Sequence, residues 1–255
     1  HDIYFGDCIE ILDNISNKSV HLVVTSPPYY NARKDVAEFK DYSEYLDYMQ
    51  NRIKKLKDVL INGGIFCLNS TSFTKNKKMY PIPFDLLEIS KKIGFELIWD
   101  VIWLKPKSTQ GLWRSSNYNY KNPYPFKPYF NCFHEYIWIM KKTGERKISE
   151  EKLKNSKIHS REKMLKYSYR EWYFPVAKPS KEKHTSSYPL DLPNYCIELF
   201  SLKGDTILDP FLGTGTSIKA AIELDRNSIG IERKKEYYQL IAPKIGYDQT
   251  RIGKQ

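Results

Sequence analysis

The chain has 255 residues, 41% of them hydrophobic, which suffices to bury one large core. No apolar run approaches the ~20 residues of a membrane span, and no charged-then-apolar leader opens the chain. The four cysteines are scattered without a C-x-x-C pair and the five histidines are dispersed. This pattern argues against a disulfide framework and against a metal cluster, and it predicts a reducing, cytoplasmic setting.

The net charge of +11 is concentrated in two segments. Residues 105–131 contain five basic and no acidic side chains, and residues 141–184 contain fourteen basic and six acidic ones. Together the two segments carry +13, which leaves −2 for the rest of the chain. Charge gathered in this way favours a polyanion that docks at one place. A solvated lysine-rich face is the plainer alternative.

Strand-like and helix-like segments alternate along the chain. Short apolar runs predict strands at residues 3–5, 21–24, 65–68, 95–104, 135–140, 206–208 and 228–231. Apolar residues at helical spacing predict helices at residues 9–15, 43–60, 81–93, 190–200, 217–224 and 234–241. We expect Asp41 and Glu44 to cap the second helix and Asn62-Gly63-Gly64 to end it. The alternation predicts an α/β fold with a mostly parallel sheet and helices on both faces.

The segment Thr25-Ser26-Pro27-Pro28-Tyr29 directly follows the predicted strand at residues 21–24. Each proline fixes its φ at about −65° and has no N–H, so the segment forms a rigid ledge. Ser26 Oγ and the backbone carbonyls offer acceptors beside the flat ring of Tyr29. That arrangement fits an exocyclic amine on a planar ring. A strand end followed by a tight turn is the simpler interpretation of the same residues.

A second loop lies between a predicted strand and a predicted helix, and its sequence is Asp209-Pro210-Phe211-Leu212-Gly213-Thr214-Gly215-Thr216. The two glycines let a ligand approach the backbone, and the helix N-terminus favours an anionic group. Glu232 ends the next strand, at a spacing that suits hydrogen bonds to ribose hydroxyls. The loop lacks the third glycine of G-x-G-x-x-G and the lysine of G-x-x-x-x-G-K-[ST], so neither NAD nor ATP phosphate binding is well supported. Both motifs are expected at the carboxyl edge of the sheet.

Together the two motifs resemble those of the DNA amino-methyltransferases that use S-adenosyl-L-methionine, and their order resembles the permuted beta class. The resemblance covers nearly the whole chain and implies a Rossmann-like methyltransferase sheet with S-adenosyl-L-methionine as cofactor. It implies a catalytic half at residues 1–140, a basic target recognition region inserted at 141–184 and a cofactor-binding half at 185–255. The residues implied at the cofactor are Asp7, Cys8, Thr25, Ser186, Ser187, Tyr188, Pro189, Asp209, Phe211, Gly213, Thr214, Gly215, Thr216 and Glu232.

Ser26 bears on which base is methylated. In the resembled family, Ser before Pro-Pro-Tyr goes with cytosine N4, whereas Asp or Asn goes with adenine N6. The resemblance therefore implies methylation at N4 of a cytosine flipped out of the duplex, with adenine N6 as the alternative. Ser26 and the Pro27 carbonyl are implied acceptors for the amine, Pro28 stiffens the ledge, and Tyr29 is the stacking face. Methylation at ring C5 would need a thiolate, for which the expected Pro-Cys pair is missing.

Contacts to double-stranded DNA are expected from the two basic segments, which combine phosphate-binding cations with aromatic rings and arginines able to read guanine. The candidate residues are Lys107, Trp113, Arg114, Lys121, Lys127, Arg146, Arg161 and Arg170. The family also implies a cognate restriction endonuclease and a nucleoid-associated location, while a homodimer stays open. A non-catalytic DNA-binding protein of the same fold and a methyltransferase acting on RNA or protein are the remaining alternatives.

Overall fold

A computed structural model of the protein describes residues 1–31, 38–75, 78–106, 118–125, 130, 132–176, 188–245 and 251–252. The strands are β1 (Asp2–Phe5), β2 (Val20–Thr25), β3 (Leu60–Ser70), β4 (Phe73–Lys75), β5 (Lys78–Tyr80), β6 (Phe95–Leu104), β7 (His134–Lys142), β8 (Glu171–Tyr173), β9 (Thr206–Asp209), β10 (Asn227–Glu232) and β11 (Arg251–Ile252). The helices are α1 (Cys8–Leu12), α2 (Tyr42–Val59), α3 (Ile82–Ile93), α4 (Glu150–Asn155), α5 (Arg161–Tyr167), α6 (Asp191–Phe200), α7 (Thr216–Glu223) and α8 (Tyr238–Ile245).

A nine-stranded sheet forms the centre of the described part of the chain, in the order β11-β1-β10-β9-β2-β3-β7-β6-β8. The strands from β11 to β3 are parallel to their neighbours, and β7 runs antiparallel between β3 and β6. The predicted mostly parallel sheet is confirmed. Because parallel strands end at the same edge, the loops after β1, β2, β9 and β10 all lie at the carboxyl edge of the sheet.

Helices cover both faces of the sheet. Alternate residues of β2 point to opposite faces, since Val23 lies in the cluster that packs against α2 and Leu22 lies in the cluster that packs against α6. The α2 side contributes Tyr45, Met49 and Ile53, all of them buried. The two-sided cover is what the uninterrupted apolar runs of the central strands require. In the described part of the chain, no helix combines the length and hydropathy needed to cross a bilayer.

Two details differ from the sequence prediction. Helix α2 ends at Val59, and Asn62-Gly63-Gly64 belongs to the following strand β3. Gly63 has a φ of +71°, and a Cβ there would lie 2.9 Å from the backbone nitrogen of Arg146. Gly63 therefore permits a close approach of two backbone segments, which explains glycine at this position without a helix stop.

The predicted target recognition region is tied into the sheet. Lys141 and Lys142 are the last residues of β7, and Glu171–Tyr173 forms the edge strand β8, parallel to β6. Trp172 of that strand is buried against the α6 side of the core. The boundary expected at residue 141 therefore falls inside strand β7. Strand β8 was not predicted, because the apolar contribution of so few residues is hard to see in a basic segment.

Candidate active site

The two predicted motifs meet at the carboxyl edge of the sheet. Thr25, the last residue of β2, donates a hydrogen bond from its hydroxyl to Asp209 Oδ1 at 2.7 Å, and Asp209 is the last residue of the neighbouring strand β9. The bond is buried and links residues far apart in sequence. The ledge at residues 25–29 and the glycine loop at residues 209–216 are therefore parts of one site.

Asp209 organises the glycine loop. Its carboxylate is 1% exposed, and besides Thr25 it accepts from the Phe211 N–H at 3.1 Å, the Tyr188 hydroxyl at 2.8 Å and the Ser217 hydroxyl at 2.6 Å. Burial raises the pKa of Asp209, while these donors act in the opposite direction. With protein donors on both oxygens, Asp209 supports the loop that would hold a ligand.

The glycine loop turns through left-handed backbone conformations. Gly213 has a φ of +56° and Gly215 a φ of +81°, a region that glycine adopts without penalty. A Cβ on Gly215 would also come within 3.1 Å of Ile241. Thr214 between them is buried, and Thr216 begins α7. The turn exposes backbone to a ligand at the start of a helix, which suits a cofactor that packs closely against the loop.

Glu232 ends β10 beside that loop. Its Oε2 accepts from the Gly213 N–H at 2.7 Å and its Oε1 from the Lys234 N–H at 2.8 Å. Burial raises the pKa of this carboxyl, which is 9% exposed. Each carboxylate oxygen can accept more than one hydrogen bond, so Glu232 retains acceptor capacity for two adjacent hydroxyls. The remaining acceptor positions of Glu232 therefore fit the hydroxyls of a ribose, such as that of an adenosyl group.

Asp7 lies beside Glu232, because the Gly6 N–H donates to the Glu232 carbonyl at 3.0 Å. The Asp7 side chain caps α1 by accepting from the Ile9 N–H at 2.9 Å. Arg52 of α2 donates to both Asp7 oxygens at 2.9 Å and 2.8 Å. The neighbouring Cys8 is buried, and burial raises the pKa of its thiol to about 11, so it is not poised as a nucleophile.

Arg52 is a site residue that the sequence analysis missed. It is only 6% exposed, and its guanidinium lies 3.3 Å from the centre of the Tyr48 ring. The available signal was its position within the buried stripe of α2, three residues after Met49 and next to Ile53. An arginine in such a stripe needs a charged partner, and here Asp7 is that partner.

The ledge carries a chain of polar contacts. Ser26 Oγ lies 3.2 Å from Tyr29 Oη, and the Tyr29 hydroxyl donates to Glu135 Oε2 at 3.1 Å. Lys105 Nζ forms an ion pair with the other oxygen of Glu135. Burial raises the pKa of Tyr29 well above its usual range, as does the adjacent Glu135 carboxylate, so the phenol stays neutral.

Pro27 is buried and Pro28 is half-buried beneath these contacts. Tyr30, the next residue, packs in an aromatic cluster with Tyr42 and Tyr80 at centroid distances of 5.2 Å and 4.8 Å. The rigid ledge therefore rests on a packed base. Glu135 and Lys105 were not among the predicted residues, although a glutamate at the start of the apolar strand β7 was a visible signal.

The described part of the chain contains only some of the predicted DNA contacts. Outside the described residues lie Lys107, Trp113, Arg114 and Lys127, together with the two predicted cofactor residues Ser186 and Ser187. Lys121 and Arg161 are exposed. Pro189 is buried two residues before α6, and the half-buried Tyr188 donates its hydroxyl to Asp209. Arg170 is exposed and pairs with Asp100. Lys121, Arg161 and Arg170 therefore stay candidates for DNA contact.

The structure corrects the prediction that Arg146 contacts DNA. Both of its terminal nitrogens donate to Asp205 at 2.6 Å, and Asp205 is 0% exposed. Asp205 directly precedes β9, so this pair lies at the amino edge of the sheet, opposite to Thr25 and Asp209. The guanidinium is committed to a buried carboxylate in the fold and is not available to read a guanine edge.

Residues 20–243 place the chain in a known family. They match the model of the N6/N4 DNA methylase family, which covers most of the chain, so the chain belongs to this family of DNA methyltransferases. With the mostly parallel sheet and the carboxyl-edge site, it is a DNA methyltransferase whose cofactor is S-adenosyl-L-methionine.

Named relatives agree with this assignment. The chain is 34% identical to the type II methyltransferase M.MjaI of Methanocaldococcus jannaschii, over 99% of this chain and 93% of that protein. It superposes with a TM-score of 0.79 on TTHA0409 of Thermus thermophilus in complex with S-adenosyl-L-methionine, at 26% identity and with 100% of both chains covered. PvuII DNA methyltransferase (cytosine-N4-specific) shares the fold, with a TM-score of 0.75 and 21% identity over 97% of this chain and 86% of that one.

Proposed function

We propose that this DNA methyltransferase methylates the exocyclic N4 of cytosine. The observation that carries the proposal is Ser26, whose hydroxyl stands at the head of the rigid Pro-Pro-Tyr ledge, hydrogen-bonded to Tyr29 at 3.2 Å. In the resembled class, Ser at this position goes with cytosine N4, and Asp or Asn goes with adenine N6. The pair Tyr188-Pro189 supports the same choice, because an aromatic-Pro pair at this place is common in the cytosine-N4 members of the resembled class, whereas adenine members more often have Lys-Pro.

The cofactor side of the site consists of the glycine loop, Glu232 and Asp7. S-adenosyl-L-methionine supplies an electrophilic methyl group on its sulfonium. Glu232 would hold the ribose hydroxyls with its remaining acceptor capacity, and Asp7, fixed by Arg52 and by its cap on α1, would accept from the adenine amino group. Gly213 and Gly215 would let the amino-acid portion lie against the backbone. Asp209 keeps this loop in shape through four protein donors.

The target side consists of the ledge. A base within a duplex cannot reach a buried methyl donor, so the target must be flipped out at a cost of about a few kcal/mol. Tyr29, half-buried and hydrogen-bonded to Glu135, offers its ring face for stacking. Ser26 Oγ and the Pro27 carbonyl accept from the two amine hydrogens and direct the nitrogen lone pair at the methyl group. Positioning of this kind is the main catalytic contribution of the ledge.

The partner is double-stranded DNA, with recognition assigned to the basic segments. Exposed cations such as Lys121, Arg161 and Arg170 supply phosphate contacts, which gives binding a steep dependence on salt. The curated relative M.MjaI is a type II methyltransferase, which supports a role in a restriction–modification system with a cognate endonuclease. We also propose that the protein forms a homodimer and is located at the nucleoid.

The test is nucleoside analysis after methylation in vitro. The protein is incubated with PCR-amplified duplex DNA, which carries no modified bases, and with S-adenosyl-L-methionine labelled in its methyl group. The DNA is digested to nucleosides and separated by mass spectrometry. We expect the label in N4-methylcytosine. Label only in N6-methyladenine would refute cytosine specificity and support the adenine alternative, and label in 5-methylcytosine would refute the direct-transfer chemistry.

A further inference from the structure

The Lys105–Glu135–Tyr29–Ser26 chain has a defined hydrogen-bond polarity. An ionised carboxylate accepts hydrogen bonds and donates none, so the Tyr29 hydroxyl must donate its one proton to Glu135 Oε2, 3.1 Å away. Tyr29 Oη is then left as an acceptor towards Ser26, whose hydroxyl lies 3.2 Å away. The Ser26 proton is thereby directed at Tyr29, so Ser26 Oγ can serve the target amine as an acceptor.

The surroundings hold this polarity in place. Glu135 is 7% exposed and its second oxygen is occupied by the ion pair with Lys105. A buried carboxylate with a lysine partner keeps its charge at a lower cost than an unpaired one. The neutral state of the Tyr29 phenol follows from its burial beside that charge. Each link in the chain is therefore set by its neighbour, starting from the ion pair.

We infer that Glu135 is a positioning residue that makes Ser26 an acceptor for the target amine and that receives the proton released by methyl transfer. The inference deepens the proposed function and rests on it for the placement of the amine at Ser26. It predicts a preference for exocyclic amines, since a keto oxygen at the same place would face the lone pairs of Ser26 without a donor between them.

The step balances in atoms and charge. The amine nitrogen uses its lone pair to form the N–C bond to the methyl group, and the S–C bond breaks with its electron pair staying on sulfur. One N–H proton of the methylated amine passes to Ser26 Oγ, the Ser26 hydroxyl proton passes to Tyr29 Oη, and the Tyr29 proton passes to Glu135 Oε2. Ser26 and Tyr29 end neutral and Glu135 ends protonated, from where the proton leaves to solvent during product release.

The experiment compares Glu135→Gln, Tyr29→Phe and the double variant in single-turnover methylation of PCR-amplified duplex DNA. Glutamine keeps a carbonyl acceptor for the Tyr29 hydroxyl but cannot take up a proton at neutral pH. Phenylalanine keeps the stacking ring but breaks the chain. General-base assistance is typically worth about 10²–10⁴-fold, so we expect each single variant to slow transfer about 10²-fold. The double variant should be no slower than either single one, because the links act as a unit.

Two further readouts separate a proton-accepting role from a structural one. Affinities for S-adenosyl-L-methionine, by calorimetry, and for DNA, by anisotropy, should stay within about twofold of wild type in both single variants. Formate should restore transfer by Glu135→Ala in a concentration-dependent manner that chloride at equal ionic strength does not reproduce. Glu88→Gln is the matched control, since Glu88 also pairs with a lysine but lies exposed on α3, and it should transfer at the wild-type rate.

Single-turnover rates within threefold of wild type for both Glu135→Gln and Tyr29→Phe would overturn the inference. So would multiplicative losses in the double variant, since independent effects contradict a single chain. Failure of the proposed function looks different, because the rates count methyl groups on any base. A wild type that methylates adenine with the same dependence on Glu135 refutes cytosine specificity and leaves the proton route standing.

Discussion

Two buried aspartates lie at opposite ends of strand β9, four residues apart, and their hydrogen-bond partners differ in charge. Asp205, at the amino edge, faces cations: Arg146 donates through both terminal nitrogens and Lys152 lies at 2.9 Å. Asp209, at the carboxyl edge, faces neutral donors within the described part of the chain, namely three hydroxyls and one backbone N–H. Burial opposes ionisation of both groups, yet the pKa of Asp205 falls to about 2 while that of Asp209 is raised.

The difference separates stability from binding within one sheet. At the amino edge, a charge is neutralised internally by side chains that serve the fold. At the carboxyl edge, the Asp209 carboxylate is held by neutral hydroxyl and backbone N–H donors, and no cation among the described residues is bonded to it. We infer that the carboxyl edge gives up stability to keep an open polar site, while the amino edge supplies stability. Four predictions test this contrast.

Replacement of a site glycine should have the largest effect on function. Gly213→Val places a β-branched side chain at a φ of +56°, where it is strained, and fills the space in which we propose that the cofactor meets the backbone. We expect no measurable S-adenosyl-L-methionine binding by calorimetry. The matched control is Gly204→Val at the amino edge, with a φ of +75° and no atom within 4 Å of its Cβ. Equal loss of affinity in the control would contradict the contrast.

Removing one partner of the amino-edge ion pair should affect folding alone. Arg146→Met leaves the Asp205 carboxylate buried without its main partner, which typically costs about 3–5 kcal/mol. We expect a loss of about 3 kcal/mol in the free energy of unfolding, measured with urea, and an unchanged cofactor affinity. Arg170→Met is the control, because its ion pair with Asp100 is exposed and should contribute at most about 1 kcal/mol. A large change in cofactor affinity for Arg146→Met would show that the two edges are not independent.

Removing the ledge hydroxyl should affect turnover alone. Ser26→Ala deletes the proposed acceptor for the target amine and leaves the Thr25–Asp209 bond and the glycine loop intact. We expect a roughly 10²-fold fall in the single-turnover rate, about 2.7 kcal/mol, with cofactor affinity unchanged. The exposed Ser16→Ala serves as the control. Loss of cofactor affinity in Ser26→Ala equal to its loss of rate would contradict the division of the carboxyl edge into a target side and a cofactor side.

The two aspartates should respond to acid with opposite signs. The folded pKa of Asp205, about 2, lies below its ordinary value of 3.8, so its stabilisation is complete above about pH 4 and is lost as the pH falls through 2. The stability difference between wild type and Asp205→Asn should therefore shrink by about 2 kcal/mol over that window. Asp209 has a raised pKa, so the difference for Asp209→Asn should move the other way, decreasing as the pH rises. Parallel curves from urea unfolding would refute the contrast.

The sequence predicted the fold and the two motif loops because both rest on local signals. Proline and glycine mark the ends of β2 and β9, and apolar periodicity marks α2 and α3 within two residues of their bounds. The placement of both motif loops at the carboxyl edge followed from one general rule, that parallel strands end at the same edge, whereas the contact between Thr25 and Asp209 came from the structure.

What the sequence could not predict are partners distant along the chain. Glu135 meets Tyr29 across 106 residues and Arg146 meets Asp205 across 59, and neither pairing leaves a local pattern. Net charge was misleading for Arg146, because a basic segment looks the same whether its arginines face DNA or a buried carboxylate. The same ambiguity explains why strand β8 was not recognised inside residues 141–184.

The most direct test of the two-edge account is hydrogen exchange with and without S-adenosyl-L-methionine. Peptides covering residues 209–216 and 229–234 at the carboxyl edge should exchange more slowly when the cofactor is added, because we propose that the glycine loop and Glu232 bind it. Peptides covering residues 143–156 and 201–205 at the amino edge should exchange at the same rate in both conditions. Slower exchange at the amino edge, or no change across residues 209–216, would contradict the account.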